Sequence, residues 1–220
     1  VDVNIQADNG YAAIHYAAQQ GDALTTKTLI EHGAGVNVRA HAKNQTDLTP
    51  LHLAVQSGNI DVIRLLVEAG SELNASKTMG EVPGVTPLHQ AVYQEKLDVV
   101  RALLQLGCNV NLSMAGWYSP LHIAAERGSK EIVVELLRHH ADINQRASHE
   151  DHQDVTPLHV ASQHGHAEIT RFLLSGAADI EATRKFVDRS GMTSLHLAAE
   201  NGFVETVCVL CQMGANLDSQ

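Results

Sequence analysis

"TPLHLAVQSG", residues 49–58, opens with the chemistry of a helix start and closes with that of a helix end. Thr49 carries a hydroxyl that can accept one of the N–H groups orphaned at a helix N-terminus, and Pro50 sits where no N–H is missed. Gly58 allows the left-handed residue that stops a short helix. The string returns as "TPLHQAVYQE" from Thr86, "SPLHIAAERG" from Ser119, "TPLHVASQHG" from Thr156 and "TSLHLAAENG" from Thr193. A degenerate copy, "AAIHYAAQQG", starts at Ala12. The shared histidines are His15, His52, His89, His122, His159 and His196, at successive intervals of 37, 37, 33, 37 and 37 residues. A period of that size marks stacked units, each too thin to bury its own apolar face without a neighbour.

Each copy is followed by a second helical pattern, as in "LLVEAGSELN" (65–74) and "LLQLGCNVN" (103–111). Val62, Ile63, Leu65, Leu66 and Val67 show its apolar spacing, and Gly33, Gly70, Gly107 and Gly214 close it. Gly21, Gly58, Gly128, Gly165 and Gly202 end the first helix in the same way, while paired alanines such as Ala124 and Ala125 let neighbouring helices approach closely. Glu95 and His140 replace glycine at two of these stops, and Gly176–Ala177 occupies a third, so higher local mobility is expected there.

With six matched units, the chain resembles the ankyrin-repeat family over essentially all of its 220 residues. The resemblance implies an all-α solenoid with short β-hairpin fingers, a stack of helix-turn-helix units forming one domain over 1–220. The expected divisions are the tail of a preceding repeat at 1–7, then repeats at about 8–40, 41–77, 78–114, 115–147, 148–184 and 185–220. The partial units at either end, "VDVN" and "GANLDSQ", read as cuts through a longer array.

Composition narrows the function. Aromatic residues make up only 4% of the chain, so small aliphatic side chains must fill thin helical layers. The formal charge is −10 with 15 Lys and Arg, which leaves out the basic surface of a general nucleic-acid binder. No apolar run reaches membrane-spanning length, so no direct membrane insertion is expected. Three cysteines are too few for a disulfide framework and lean towards a cytoplasmic, reducing compartment.

A catalytic constellation should depart from the repeat, and the Thr–His pairs do not. The resemblance implies that each repeat histidine bonds near its own Thr and to backbone of the adjoining finger. No catalytic residue, metal ligand or cofactor is therefore assigned. Cys208 and Cys211 read as apolar filler of the last helix, and "HEDH" (149–152) as a solvated finger, although it is the best metal candidate. The histidines clustered between 139 and 166 offer a subsidiary reading as a pH sensor.

Protein or peptide binding remains, by a single copy of the chain. The extra four residues of the long repeats fall in the fingers at 38–48, 75–85, 145–155 and before Thr193. Insertions repeated on one face mark a working face, or else loops that have lengthened freely. In ankyrin-like stacks the partner meets the finger tips and the inner face of the first helices. That carries the candidate contacts onto the finger-base residues Tyr11, Leu48, Val85, Tyr118, Val155 and Met192, with Trp117 beside them, while Leu48, Val85 and Val155 read equally well as packing between neighbouring fingers. It also carries them onto Gln56, Tyr93, Gln94, Glu126, Arg127, Gln163, His164, Glu200 and Asn201 at the ends of the first helices. Tyr93, Trp117, Tyr118 and Arg127 belong to the residue types that dominate binding hot spots. The alternative is a segment that packs in cis within a larger channel or multidomain toxin. Asn37, Asn74, Asn111 and Asn144 occupy a position that resembles the one hydroxylated in this family.

Overall fold

In a computed structural model, residues 2–42, 45–115, 117–149, 152–186 and 189–217 are described. Each repeat contributes a helix pair: α1 (Ala13–Gln20) with α2 (Ala23–Glu31), α3 (Pro50–Ser57) with α4 (Ile60–Glu68), and α5 (Pro87–Tyr93) with α6 (Leu97–Gln105). The series continues with α7 (Pro120–Arg127) and α8 (Lys130–Arg138), α9 (Pro157–Gln163) and α10 (Ala167–Ser175), then α11 (Ser194–Glu200) and α12 (Val204–Gln212). The chain divides into two compact units, Val1–Asn109 and Val110–Gln220. Within each, first helices stack on first helices and second on second: α1 on α3 and α3 on α5, α7 on α9 and α9 on α11. The core is built from their inward residues, such as Leu51, Ile63 and Leu66 in the first unit and Leu121, Leu136 and Leu158 in the second.

The four long fingers are hairpins. In the first unit β1 (Ala40–Ala42), β2 (Gln45–Leu48), β3 (Lys77–Met79) and β4 (Val82–Val85) join in that order into one antiparallel sheet. In the second, β5 (Ala147–His149), β6 (His152–Val155), β7 (Arg184–Phe186) and β8 (Arg189–Met192) do the same. The finger that lacks the four extra residues, ahead of Ser119, forms no strand among the described residues, and the boundary between the units falls at its start. Finger length thus decides where sheet pairing can run on from one repeat to the next.

Each long finger also bends through one left-handed residue just ahead of its base: Asp47 (φ 60°), Gly84 (φ 83°), Asp154 (φ 62°) and Gly191 (φ 86°). Only glycine or a short polar residue enters that region at low cost, and it coincides with a register shift in each hairpin. Glu95 (φ 55°), His140 (φ 65°) and Ala177 (φ 68°) do take the left-handed conformation expected at helix stops without glycine.

Candidate functional site

The repeat histidine is the hub on which the inner face is organised. Its Nδ1 accepts from the backbone N–H of the N-cap residue at 3.1–3.4 Å in all six repeats. In five of them the N-cap hydroxyl, from Thr49, Thr86, Ser119, Thr156 or Thr193, also lies 2.7–2.9 Å from Nδ1. An N–H cannot donate to a protonated nitrogen, so the proton sits on Nε2. Nε2 then donates to the adjoining finger: His52 to the Val85 carbonyl at 3.2 Å, His122 to Val155 at 3.0 Å and His159 to Ala182 at 2.9 Å. His15 has Val38 and Leu48 as its carbonyl partners. Burial holds His52 down to about 3 and His122 and His159 to about 4, with Lys77 and Arg184 adding repulsion at His52 and His159. These imidazoles are neutral structural bolts, not acid–base catalysts.

The same geometry corrects part of the expected contact stripe. Tyr11, Leu48, Val85 and Val155 are buried, so these finger-base residues have no surface to offer a partner. Their work is packing and, for Leu48, Val85 and Val155, presenting the carbonyl that receives the histidine. Tyr11 packs on His15 and Tyr16, with ring centroids 5.1 and 5.2 Å apart. Trp117, Tyr118 and Met192 are half-buried and keep an open edge. Tyr118 stacks on His122 at 5.2 Å, and burial raises its phenol pKa.

At the ends of the first helices the picture is different. In the first unit Gln56, Tyr93 and Gln94 are exposed, Tyr93 by 54%. In the second, Glu126, Arg127, His164, Glu200 and Asn201 are exposed and Gln163 is half-buried.

Sequence reasoning missed the structural role of two further sets of residues, both periodic along the chain. At Asn37, Asn111 and Asn144 the asparagine near the end of a repeat clamps the next one, and Glu181 stands at the corresponding place in the fifth repeat. Asn37 donates to the Gly70 carbonyl at 3.0 Å and accepts from the Glu72 N–H at 2.8 Å. Asn111 makes the same pair with His140 and Asp142, and Asn144 with Ala177 and Asp179. The second set reaches back to cap the preceding first helix. Asn59 donates to the Gly21 carbonyl, Lys96 to those of Val55 and Gln56, and His166 Nε2 bonds the Glu126 carbonyl at 3.0 Å. His166 lies over Gly128, where a Cβ would come within 2.7 Å of its ring.

Among the described residues each unit also buries one cation. Lys77 on β3 is 3% exposed and Arg184 on β7 is 7% exposed, each at the base of a finger. Lys77 Nζ donates to Gln45 Oε1 at 2.9 Å and Gln90 Oε1 at 2.5 Å, and burial brings its pKa down to about 8. Arg184 Nη1 donates to Gln163 Oε1 at 2.8 Å, while its Nε is buried without a partner.

Among the described residues no group of three or more His, Cys, Asp or Glu could hold a metal ion. Glu150 and Asp151 of the "HEDH" finger, with the side chains of His149 and His152, lie outside the described residues. Cys208 and Cys211, on the last helix, are exposed. Position 208 is where Lys27, Arg64, Arg101 and Arg171 stand in other repeats, on the outward side of the second helix. A cleft of about 540 Å³ between the ends of α8 and α10 is lined by Leu137, Ile143 and Phe172 with His140, and no finger residue enters it. No helix among the described residues is long and apolar enough to cross a membrane.

Comparison with known proteins agrees with this geometry. The family model for ankyrin repeats (3 copies) matches residues 1–77, 76–147 and 121–220. The crystal structure of the human ASB11 ankyrin repeat domain superposes with a TM-score of 0.75 at 30% sequence identity, covering 96% of this chain and 87% of that one. Comparison with curated proteins finds no match. Ankyrin repeats are in general interaction modules and typically not enzymes. The family model spans the chain from end to end, and the chain belongs to the ankyrin-repeat family.

Proposed function

We propose that the chain is a non-catalytic scaffold that binds a peptide or protein surface along its finger bases and first-helix ends. One observation carries the reading. What is constant in the repeat, the histidine and its N-cap, is buried in the first five repeats and half-covered at His196, while what varies is displayed at the end of each first helix. Tyr93 is the most open aromatic residue of the first unit; Tyr118 and Trp117 keep open edges in the second, alongside Gln163 and the charged residues Glu126, Arg127 and Glu200. Aromatic rings rimmed by amides and charges suit a polypeptide better than a small molecule. Met192 and His164 belong to the same surface in the second unit, and Gln56 and Gln94 in the first.

The test is capture of partners by the wild-type chain and by Trp117→Ala with Tyr118→Ala, with folding followed by circular dichroism. The partner set should shrink in the double variant; an unchanged set with folding preserved would refute the proposed face. A second reading is favoured by exposed apolar side chains on the outermost helix pairs, Leu24 on α2 and Val204 on α12. There a polypeptide covers these faces in cis or in trans. Leu24→Asp and Val204→Asp would then abolish an association that the aromatic variant leaves intact.

A further inference from the structure

We propose that Arg184 anchors an acidic-side-chain subsite in the second unit, receiving the carboxylate of a Glu or Asp on the bound polypeptide. The proposal rests on the binding-face reading above and names the chemistry of one contact within it.

A guanidinium carries five N–H donors in a flat fork that matches a carboxylate. Among the described residues Arg184 uses one of them, from Nη1 to Gln163 Oε1 at 2.8 Å. Its Nε is buried and unpartnered although the side chain is 93% covered, since 7% is exposed. Tyr118 and Glu200 are near enough to attract the charge, yet no carboxylate of a described residue comes within ion-pair distance of it. Burying a cation in this state is unfavourable unless something else supplies the acceptors.

The fold does not require a cation there. Arg184 pairs across its hairpin with Met192, as Ala40 pairs with Leu48, Lys77 with Val85 and Ala147 with Val155. Alanine therefore serves at this register position in two of the four long fingers. Where a cation does occur at the equivalent place, Lys77, two amide oxygens satisfy it from within the protein. Arg184 is the member of the set left with spare donors, and it sits between Gln163 and Tyr118, which belong to the proposed binding face.

An acidic side chain suits a largely buried guanidinium better than a chain terminus does. A Glu or Asp carboxylate enters on a thin methylene stem, whereas an α-carboxylate brings a backbone amide into the same dry place. Gln163 Oε1 is already engaged and would remain the flanking contact.

The experiment is selection of random peptides displayed against the full 220-residue chain, using wild type, Arg184→Met and Arg184→Lys. Wild type should select peptides with an acidic residue at one fixed position. A synthetic peptide of that sequence, capped at both ends, should bind at least ~10-fold more weakly after its Glu→Gln exchange. Arg184→Met should lose that discrimination, with Tm unchanged or raised, because a buried cation is replaced by an apolar side chain of similar length. Arg184→Lys should recover part of it. A fall in Tm on Arg184→Met, or an acidic position that persists in that variant, would overturn the proposal. So would recovery of the Gln peptide's binding by a free C-terminal carboxylate. Peptides lacking an acidic position but lost on Tyr118→Ala would leave the binding face standing and remove this anchor. No selection by wild type would remove both.

Discussion

Lys77 and Arg184 stand at the same register position of two four-stranded sheets, opposite Val85 and Met192. The lysine is closed off by Gln45 from the preceding finger and Gln90 from its own first helix. Among the described residues the arginine bonds Gln163 alone, from the first helix of the preceding repeat. One repeat position therefore supports two outcomes, a cation absorbed into the protein and a cation left with donors to spare. Which one arises depends on side chains from different repeats, since Gln45 and Gln90 lie 32 and 13 residues away in sequence. A solenoid can convert a structural position into a binding one by changing a neighbour and leaving the residue itself in place.

The largest expected effect concerns the buried repeat histidines, two of which lie beside these cations. Folding lowers the pKa of His52 to about 3 and of His122 and His159 to about 4, all by burial first. The unfolded chain takes up these protons near pH 6.5, the native chain only far below it. The stability is therefore fully present above pH 6.5 and is lost as pH falls towards 4. At pH 5 each of the three should cost about 2 kcal/mol. Urea unfolding at pH 7, 6 and 5 checks this, and a midpoint that stays level would contradict the neutral-bolt account. Lys77→Met and Arg184→Met should each soften the acid response slightly, because Lys77 and Arg184 repel protons from His52 and His159.

Next in size is the direct test of the two cations. Gln90→Leu strands the Lys77 ammonium in a buried site and should cost about 1–3 kcal/mol. Gln163→Leu should cost less, because Arg184 already tolerates unpaired donors. Equal losses in chemical unfolding would erase the distinction between the two positions. Asn37→Ala and Asn144→Ala provide a matched control, one clamp from each unit, and each should lose about 1 kcal/mol. The smallest effect contrasts the first helices of the units: α7 has Ser119 as its N-cap, α1 has Ala12, with no hydroxyl. Ala12→Ser should add about 0.5–1 kcal/mol, read as a rise in the urea midpoint, whereas Ser119→Ala should subtract a similar amount.

Much of this was legible in the residues. The helix starts at Thr49, Thr86 and Thr156 follow from hydroxyl–proline chemistry, and the stops at Gly58 and Gly128 from their freedom to take positive φ. The long fingers emerge as hairpins where the interval counting placed them. The finger bases were harder. In the sequence Leu48, Val85 and Val155 fit a contact stripe and stack packing equally, and only the tertiary structure makes them core with a working carbonyl. His166 has the position of a helix-start residue but no cap bond of its own; it spends its ring on the helix of the repeat before. A side chain's partner 40 residues away cannot be read from its own neighbours in sequence.

The sequence by itself determined the repeat, its helix boundaries, the buried histidine and the finger lengths, because each depends on local backbone chemistry or on simple period. Tertiary structure alone decided which apolar residues are surface and which are core. It also decided that sheets form only where long fingers adjoin, and that Lys77 is satisfied while Arg184 is not. Those outcomes depend on groups brought together from separate repeats, and burial and hydrogen bonding there are properties of the stack.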